Sequence, residues 1–307
     1  MTSRRKFLRS ALLVGAGTSL ALTGCSPSGA SQEAKSAGRI TVGSKGFAES
    51  WIMGEMYAQA LRELGYEIDL KTNVGSTNII DTAMMSGQVD IYPEYTGVIL
   101  QSLAGEDKLQ ETAEETYQEA KEYEASRGVT ILNATPFENK NAVAVTKDFA
   151  QKHDLKTMED LHKVGPFTYT TYPDNVTGQN GYEGIVEFYK LDEMKLKTLS
   201  IGLNYAALEN GDVQAADVFT TDPQLLRSNF VVLEDTLNIF GFQNVVPVLR
   251  DDVANRVGPE VTETLNSIHA LLTTEAIQAL NGAVAINRLD PSQVARQFLV
   301  ANNLIEE

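Results

Sequence analysis

Between the segment Ser44-Lys45-Gly46-Phe47 and Gly65, apolar residues Ile52, Met56, Ala60 and Leu64 recur at every fourth position. That spacing puts them on one stripe of a helix, and a glycine just past the last of them provides a helix stop. Short apolar runs flank it, Arg39 to Gly43 and Glu67 to Lys71, and both read as strands. A second helix is expected over Asn78 to Ser86, ended by Gly87, and a third strand over Val89 to Tyr92. Strand and helix alternating at this interval predict a parallel sheet covered on both faces.

The same punctuation returns about 120 residues later. Ala83-Met84-Met85-Ser86-Gly87-Gln88-Val89-Asp90 leads into Ile91-Tyr92, and Ala207-Leu208-Glu209-Asn210-Gly211-Asp212-Val213-Gln214 leads into a strand over Ala215 to Phe219. Each strand runs on into a loop rich in rings and hydroxyls, Tyr92-Pro93-Glu94-Tyr95-Thr96 in one case and Phe219-Thr220-Thr221-Asp222 in the other. Two lobes of one plan follow if the pairing is real, although a glycine-capped helix before a strand is common in α/β chains. Ligands of open sheets bind outside the carboxyl ends of the strands, so such loops from two lobes would face each other across a cleft. Helical patterns at Val261 to Leu272, Thr274 to Val284 and Asp290-Pro291 to Asn302 form a tail with no strand of its own. It must pack on a lobe, with Asp290 and Pro291 as N-cap and first-turn residues of the last helix.

The beginning of the chain carries different information. Arg4, Arg5, Lys6 and Arg9 precede an apolar run from Ala11 to Leu22, too short for a bilayer span, which takes about 20 residues. It reads as a cleaved export leader over residues 1–24, whose Arg pair is compatible with export of a folded chain as well as with the general secretory route. Leu22-Thr23-Gly24-Cys25 has the small residues of a lipoprotein cleavage site, and Cys25 is the single cysteine, so acylation is its expected role and no intramolecular disulfide is possible. Residues 25–38 lack bulky apolar side chains and read as a tether.

Four of the 25 basic residues and none of the 41 acidic ones lie in the leader, so the remainder is strongly acidic and a nucleic-acid partner is not expected. The histidines His153, His162 and His269 are scattered and match no usual metal spacing, so neither a metal nor a cofactor is expected. No Gly-x-Ser-x-Gly elbow occurs, and Glu94 stands without a placed catalytic partner, which favours a structural role for it over general-acid work.

Five segments carry a resemblance. Gly43-Ser44-Lys45-Gly46-Phe47-Ala48-Glu49, Asn73-Val74-Gly75-Ser76-Thr77, Asp90-Ile91-Tyr92-Pro93-Glu94-Tyr95-Thr96-Gly97, Thr221-Asp222 and Asn244-Val245-Val246-Pro247-Val248 resemble the substrate-binding proteins of osmoprotectant ABC transporters. That family binds glycine betaine, choline, carnitine and related quaternary amines. The resemblance implies a fold of the type II periplasmic-binding-protein kind, two α/β lobes joined by two crossing segments. Lobe one would comprise 39–139 plus 249–307, and lobe two 140–248. It also implies an extracytoplasmic, lipid-anchored monomer on the outer face of the cell membrane, with a small solute and a membrane permease as partners and no reaction catalysed.

A quaternary ammonium has no hydrogen to donate, so a protein holds it with dispersion and with the negative faces of aromatic rings, about 0.5 to 2 kcal/mol per contact. A carboxylate tail, where present, needs a cation or aligned N–H donors. By resemblance Tyr95 is a cage tyrosine, Lys45 meets a ligand carboxylate, and Phe219 stands where a tyrosine is usual. Asn141 and Gln243 occupy two further cage-tyrosine positions, and their amides would suit a more polar amine or betaine such as ergothioneine. Tyr92, Tyr169, Tyr172 and Tyr205 are the remaining tyrosines that could complete a cage, each equally readable as an ordinary half-buried aromatic. An exported enzyme on a bilobal scaffold is the alternative from another class.

Overall fold

The computed structural model describes residues 38–106 and 108–306. The leader, Cys25 and the tether up to residue 37 lie outside the described residues. Ten strands are described: β1 (Arg39–Gly43), β2 (Glu67–Lys71), β3 (Ile91–Tyr95), β4 (Val129–Ile131), β5 (Asn141–Thr146), β6 (Phe167–Thr171), β7 (Met194–Thr198), β8 (Ala215–Phe219), β9 (Phe230–Leu233) and β10 (Val245–Arg250). The longer helices are α1 (Ala48–Glu63), α2 (Thr77–Met85), α3 (Ala113–Ser126), α4 (Lys147–His153), α5 (Tyr182–Tyr189), α6 (Asn204–Glu209), α7 (Pro259–Leu271), α8 (Thr274–Ala285) and α9 (Pro291–Ala301). Among the described residues no helix is long and apolar enough to cross a membrane.

The strands form two five-stranded sheets, ordered β2-β1-β3-β10-β4 and β7-β6-β8-β5-β9. The two orders follow one plan. In each, a first strand lies between a second and a third, both parallel to it, and the third is followed by an antiparallel strand. The matched punctuation is equally regular: Gly87 after α2 and Gly211 after α6 take φ of +76° and +75°, a conformation open to glycine at little cost. Two lobes on one plan are therefore present, and the sheets are mixed rather than parallel throughout. The physical cause is the path of the chain. β3 and β8 run toward the junction of the lobes, whereas β10 and β5 enter their sheets from that junction, so they run the opposite way.

That path also corrects the expected lobe boundary at 248/249. β10 pairs with β3 from Val245↔Tyr95 to Leu249↔Ile91, so residues 245–248 belong to the first sheet. The return crossing lies at Gln243–Asn244, beside the outgoing one. Glu138 and Asn244 form an antiparallel bridge, Asn139 N–H donates to the Gln243 carbonyl at 3.1 Å, and the Asn244 amide donates to the Thr135 carbonyl at 3.1 Å. The third strand starts at Ile91 rather than Val89, because the N–H groups of Gln88 and Val89 are still closing α2, both donating to the Ala83 carbonyl.

Apolar burial fixes the tail on the first lobe. Val261, Leu265, Ile268, Ile277 and Leu299 are buried in one cluster with Ile40, Val42, Ile52 and Met56. Each such side chain contributes about 1.5 to 3 kcal/mol on leaving water, enough together to hold three helices that have no sheet of their own. Asp290 caps α9 as its sequence requires, accepting from Ser292 N–H at 2.9 Å. The second lobe has its own core, built on Val143, Val145, Phe167, Tyr169, Ile185 and Leu233.

Candidate functional site

The carboxyl ends of β1 and β3 carry Lys45, Phe47 and Tyr95, and those of β6 and β8 carry Tyr172 and Phe219. Each lobe stacks two of its rings. Phe47 lies on Tyr95 with centroids 6.4 Å apart and planes at 26°, and Tyr172 lies on Phe219 at 6.3 Å and 30°. Both spacings fall within the range of favourable offset aromatic pairs.

In the first lobe a buried carboxylate holds the ring pair from behind. The Tyr95 hydroxyl donates to Glu49 Oε1 at 2.7 Å, the Asn139 amide donates to the same oxygen at 3.0 Å, and the Asn281 amide donates to Oε2 at 3.0 Å. Asn281 also donates to the Thr221 carbonyl of the second lobe at 3.1 Å, so one amide ties Glu49, α8 and the loop after β8 together. Burial, followed by the Glu49 charge, pushes the Tyr95 phenol well above its usual range, and it stays a neutral donor.

Lys45 is directed differently from the expectation. Its ammonium pairs with the Glu94 carboxylate and donates to Thr77 Oγ1 at 2.8 Å, and it lies 5.2 Å from the Tyr95 ring centroid. Glu94 is fully buried, which raises its pKa, while Lys45 and the Tyr95 N–H at 2.9 Å oppose the rise. Two of the three N–H groups of this ammonium are committed to Glu94 and Thr77, an internal role that the sequence reading did not give Lys45. Glu94, with Lys45 as its partner, has the structural place anticipated for it.

In the second lobe a hollow opens at the ends of β6, β7 and β8. Tyr172, Phe219, Tyr205 and Asp217 all line it. Asp217 is 4% exposed and lies two residues before Phe219 on β8, hence on the same face of the strand. The Asn141 amide donates to both of its oxygens, at 3.0 and 3.2 Å, and the Thr171 hydroxyl to one of them at 3.3 Å. Burial outweighs these bonds and pushes the Asp217 carboxyl up to about 7. Tyr205 donates to Asp222 at 2.8 Å and meets Phe230 edge-on at 5.0 Å, so its hydroxyl is committed within the lobe.

The sequence-derived candidates therefore divide. Phe219, Tyr172 and Tyr205 line the lobe-two hollow, and Asn141 is joined to it through Asp217. Lys45 and Tyr95 come together in lobe one, with Tyr95 only 7% exposed and outside that hollow. Gln243 sits in the return crossing, where its amide oxygen accepts from Val98 N–H at 3.1 Å and its amide nitrogen packs over Gly97. Tyr92 is 1% exposed among Ile80, Met84 and Val248, and Tyr169 is sealed in the lobe-two core, so neither can wall a cleft. Phe47, Glu49, Asp217 and Asn281 were not among the candidates. Asp217 could have been found from the two-residue period of β8, and Phe47 from its place in the β1 loop beside Lys45. Among the described residues no cluster of His, Cys, Asp and Glu could hold a metal ion.

Comparison with known proteins agrees with this geometry. Residues 38–301 match the family described as the substrate-binding domain of ABC-type glycine betaine transport systems. The chain is 30% identical to a glycine-betaine-binding protein of Pseudomonas aeruginosa over 87% of its own length and 89% of the relative's. It is 28% identical to the carnitine transport binding protein OpuCC of Listeria monocytogenes, covering 99% of each chain. The solved structure of apo YehZ from Escherichia coli superposes with a TM-score of 0.74 at 26% identity, over 87% of this chain and 99% of that one. These are non-enzymatic proteins of type II periplasmic-binding-protein fold that serve importers outside the cytoplasm. The chain belongs to the family of substrate-binding domains of ABC-type glycine betaine transport systems.

Proposed function

We propose that this chain captures a quaternary-ammonium solute of the glycine betaine, choline or carnitine type between its lobes, and hands it unchanged to a membrane permease driven by an ATPase. The observation that carries the reading is the stacked ring pair at the carboxyl end of each sheet, Phe47 on Tyr95 and Tyr172 on Phe219. Four ring faces around one cationic head make a cage whose contacts are each worth about 0.5 to 2 kcal/mol. The hydrogen bonds of Tyr95 to Glu49 and of Asn141 to Asp217 belong to single lobes and survive a change in the angle between them.

Ligand touches both ring pairs only when the lobes approach, so binding shifts the population toward the closed form, and that form is what the permease recognises. Acyl chains on Cys25 hold the protein at the outer face of the membrane, with residues 26–38 as the tether. Names given to the relatives support the solute class, and the small residues before Cys25 support the anchor.

Two measurements test the reading. Uptake of labelled choline, glycine betaine and carnitine by cells carrying the chain with its permease should exceed uptake by cells lacking the chain, and equal uptake of all three would contradict it. Labelled fatty acid should enter the wild-type protein and not Cys25→Ala, and equal incorporation would remove the anchor.

A further inference from the structure

Each lobe backs its ring pair with a buried carboxylate that, among the described residues, makes no ion pair with a cation. Glu49 is 2% exposed and is held by three neutral donors, the Tyr95 hydroxyl and the amides of Asn139 and Asn281. Asp217 is 4% exposed and is held by the amide of Asn141 and the hydroxyl of Thr171, also neutral. The described basic side chains near these groups make ion pairs with other carboxylates. Lys45 pairs with Glu94, and Lys140 pairs with Glu138 at 3.1 Å and donates to the Gly241 carbonyl at 3.2 Å.

A zwitterionic solute brings a carboxylate that needs a cation or a set of free N–H donors, whereas a solute bearing only an ammonium needs none. A carboxylate at the rings, once ionised, attracts the second kind and repels the tail of the first, and the repulsion is stronger out of water. Resting on the quaternary-amine reading above, we infer that this site selects a net cation, an amine of the choline type without a carboxylate, over a zwitterion such as glycine betaine, with Asp217 as the specificity-determining residue. Asp217 and Asp222 both line the hollow, while Glu49 acts from behind Tyr95. Asp222 accepts from the Tyr205 hydroxyl and the Phe219 N–H, which leaves Asp217, on the strand face of Phe219, as the carboxylate assigned this place. The Asn141 amide positions it, donating to both of its oxygens from a strand whose first residue pairs with Phe219.

Choline and glycine betaine form a matched pair of probes, sharing the trimethylammonium head and differing in a hydroxymethyl against a carboxylate. Titration calorimetry on the full chain at pH 8, where Asp217 is mostly ionised, should give choline a dissociation constant at least about tenfold below that of glycine betaine. In Asp217→Asn the preference should fall below about threefold. Glycine betaine binding as tightly as choline to the wild-type protein, or tighter, overturns the inference and leaves the quaternary-amine reading intact. An unchanged preference in the Asn variant overturns the assignment to Asp217. Failure of both probes and of carnitine to bind contradicts the reading on which the inference rests. The wild-type comparison stands by itself if the Asn variant does not fold.

Discussion

The Tyr95 hydroxyl donates to Glu49 at 2.7 Å, which makes a ring expected to wall a ligand cage also the lid of a buried carboxylate. These roles separate under substitution. Tyr95→Ala removes the wall and should weaken solute binding by tenfold or more, the loss of one contact worth about 1.4 kcal/mol. Tyr95→Phe keeps the ring and leaves Glu49 one donor short. It should hold affinity within about threefold while lowering unfolding free energy by about 1 to 3 kcal/mol. Calorimetry and denaturant unfolding on the two variants check this, and equal affinities of Tyr95→Ala and wild type would take Tyr95 out of the site.

Lys45 and Glu94 form an internal pair, and breaking it leaves a fully buried carboxylate alone. Lys45→Met should cost about 3 to 5 kcal/mol at pH 8. It should cost less as the pH falls, because burial raises the Glu94 pKa and protonation relieves the unpaired charge. The double variant Lys45→Met, Glu94→Gln should recover most of the loss. A stable single variant with weakened binding of glycine betaine would assign the ligand-carboxylate role to Lys45.

Through Asp217 and Glu124, stability should fall as pH rises from about 4 to about 8, opposed below about 6.5 by His269, which burial holds at about 3 in the folded chain. Asp217 and Glu124 are both pushed up to about 7 by burial, from ordinary values near 4. Between those limits the folded chain holds protons that the unfolded chain has released, so each unit of rising pH favours unfolding. The groups facing Asp217 are Asp222, Tyr169, Tyr172 and Tyr205, and those facing Glu124 are Arg127, Asp81, Glu94 and Tyr92. Thermal unfolding of Glu124→Gln and Asp217→Asn should show a flatter pH profile than wild type, and a wild-type midpoint that climbs from pH 5 to 8 would contradict the sign.

Gly97 lies under the return crossing. A methyl group there would stand 2.6 Å from the Phe242 carbonyl oxygen and 2.5 Å from the Gln243 amide nitrogen, and the first of these is backbone. Gly97→Ala should therefore destabilise by about 1 to 3 kcal/mol, measured by urea unfolding. A neutral substitution would mean that the crossing segments yield easily.

The first helix and the strands β1, β2 and β8 could be read directly, because a fourfold apolar period and flanking glycines are local signals. The direction of β5 and β10 could not, since it depends on where the chain crosses between lobes and not on any residue within those strands. The same gap displaced the lobe boundary from Gln243–Asn244 to 248. Tyr92 was misplaced for a reason that was legible. Three residues before Tyr95 on one strand, it faces the opposite side of the sheet, into the cluster of Ile80 and Val248. The Lys45–Glu94 pair is not legible in the sequence because Glu94, 49 positions later, is brought to Lys45 only by the pairing of β1 with β3. Asn141 was marked as an amide in place of a tyrosine, and its partner Asp217 emerged only from the register that sets Asn141 opposite Phe219.

The most direct test of solute capture is titration calorimetry of the full chain against choline, glycine betaine and carnitine, with the solute recovered afterwards. Saturable binding of at least one of them at micromolar concentration, with that solute recovered unaltered, is the expected result. Absence of binding by all three up to millimolar concentration, or chemical conversion of a bound solute, would contradict it.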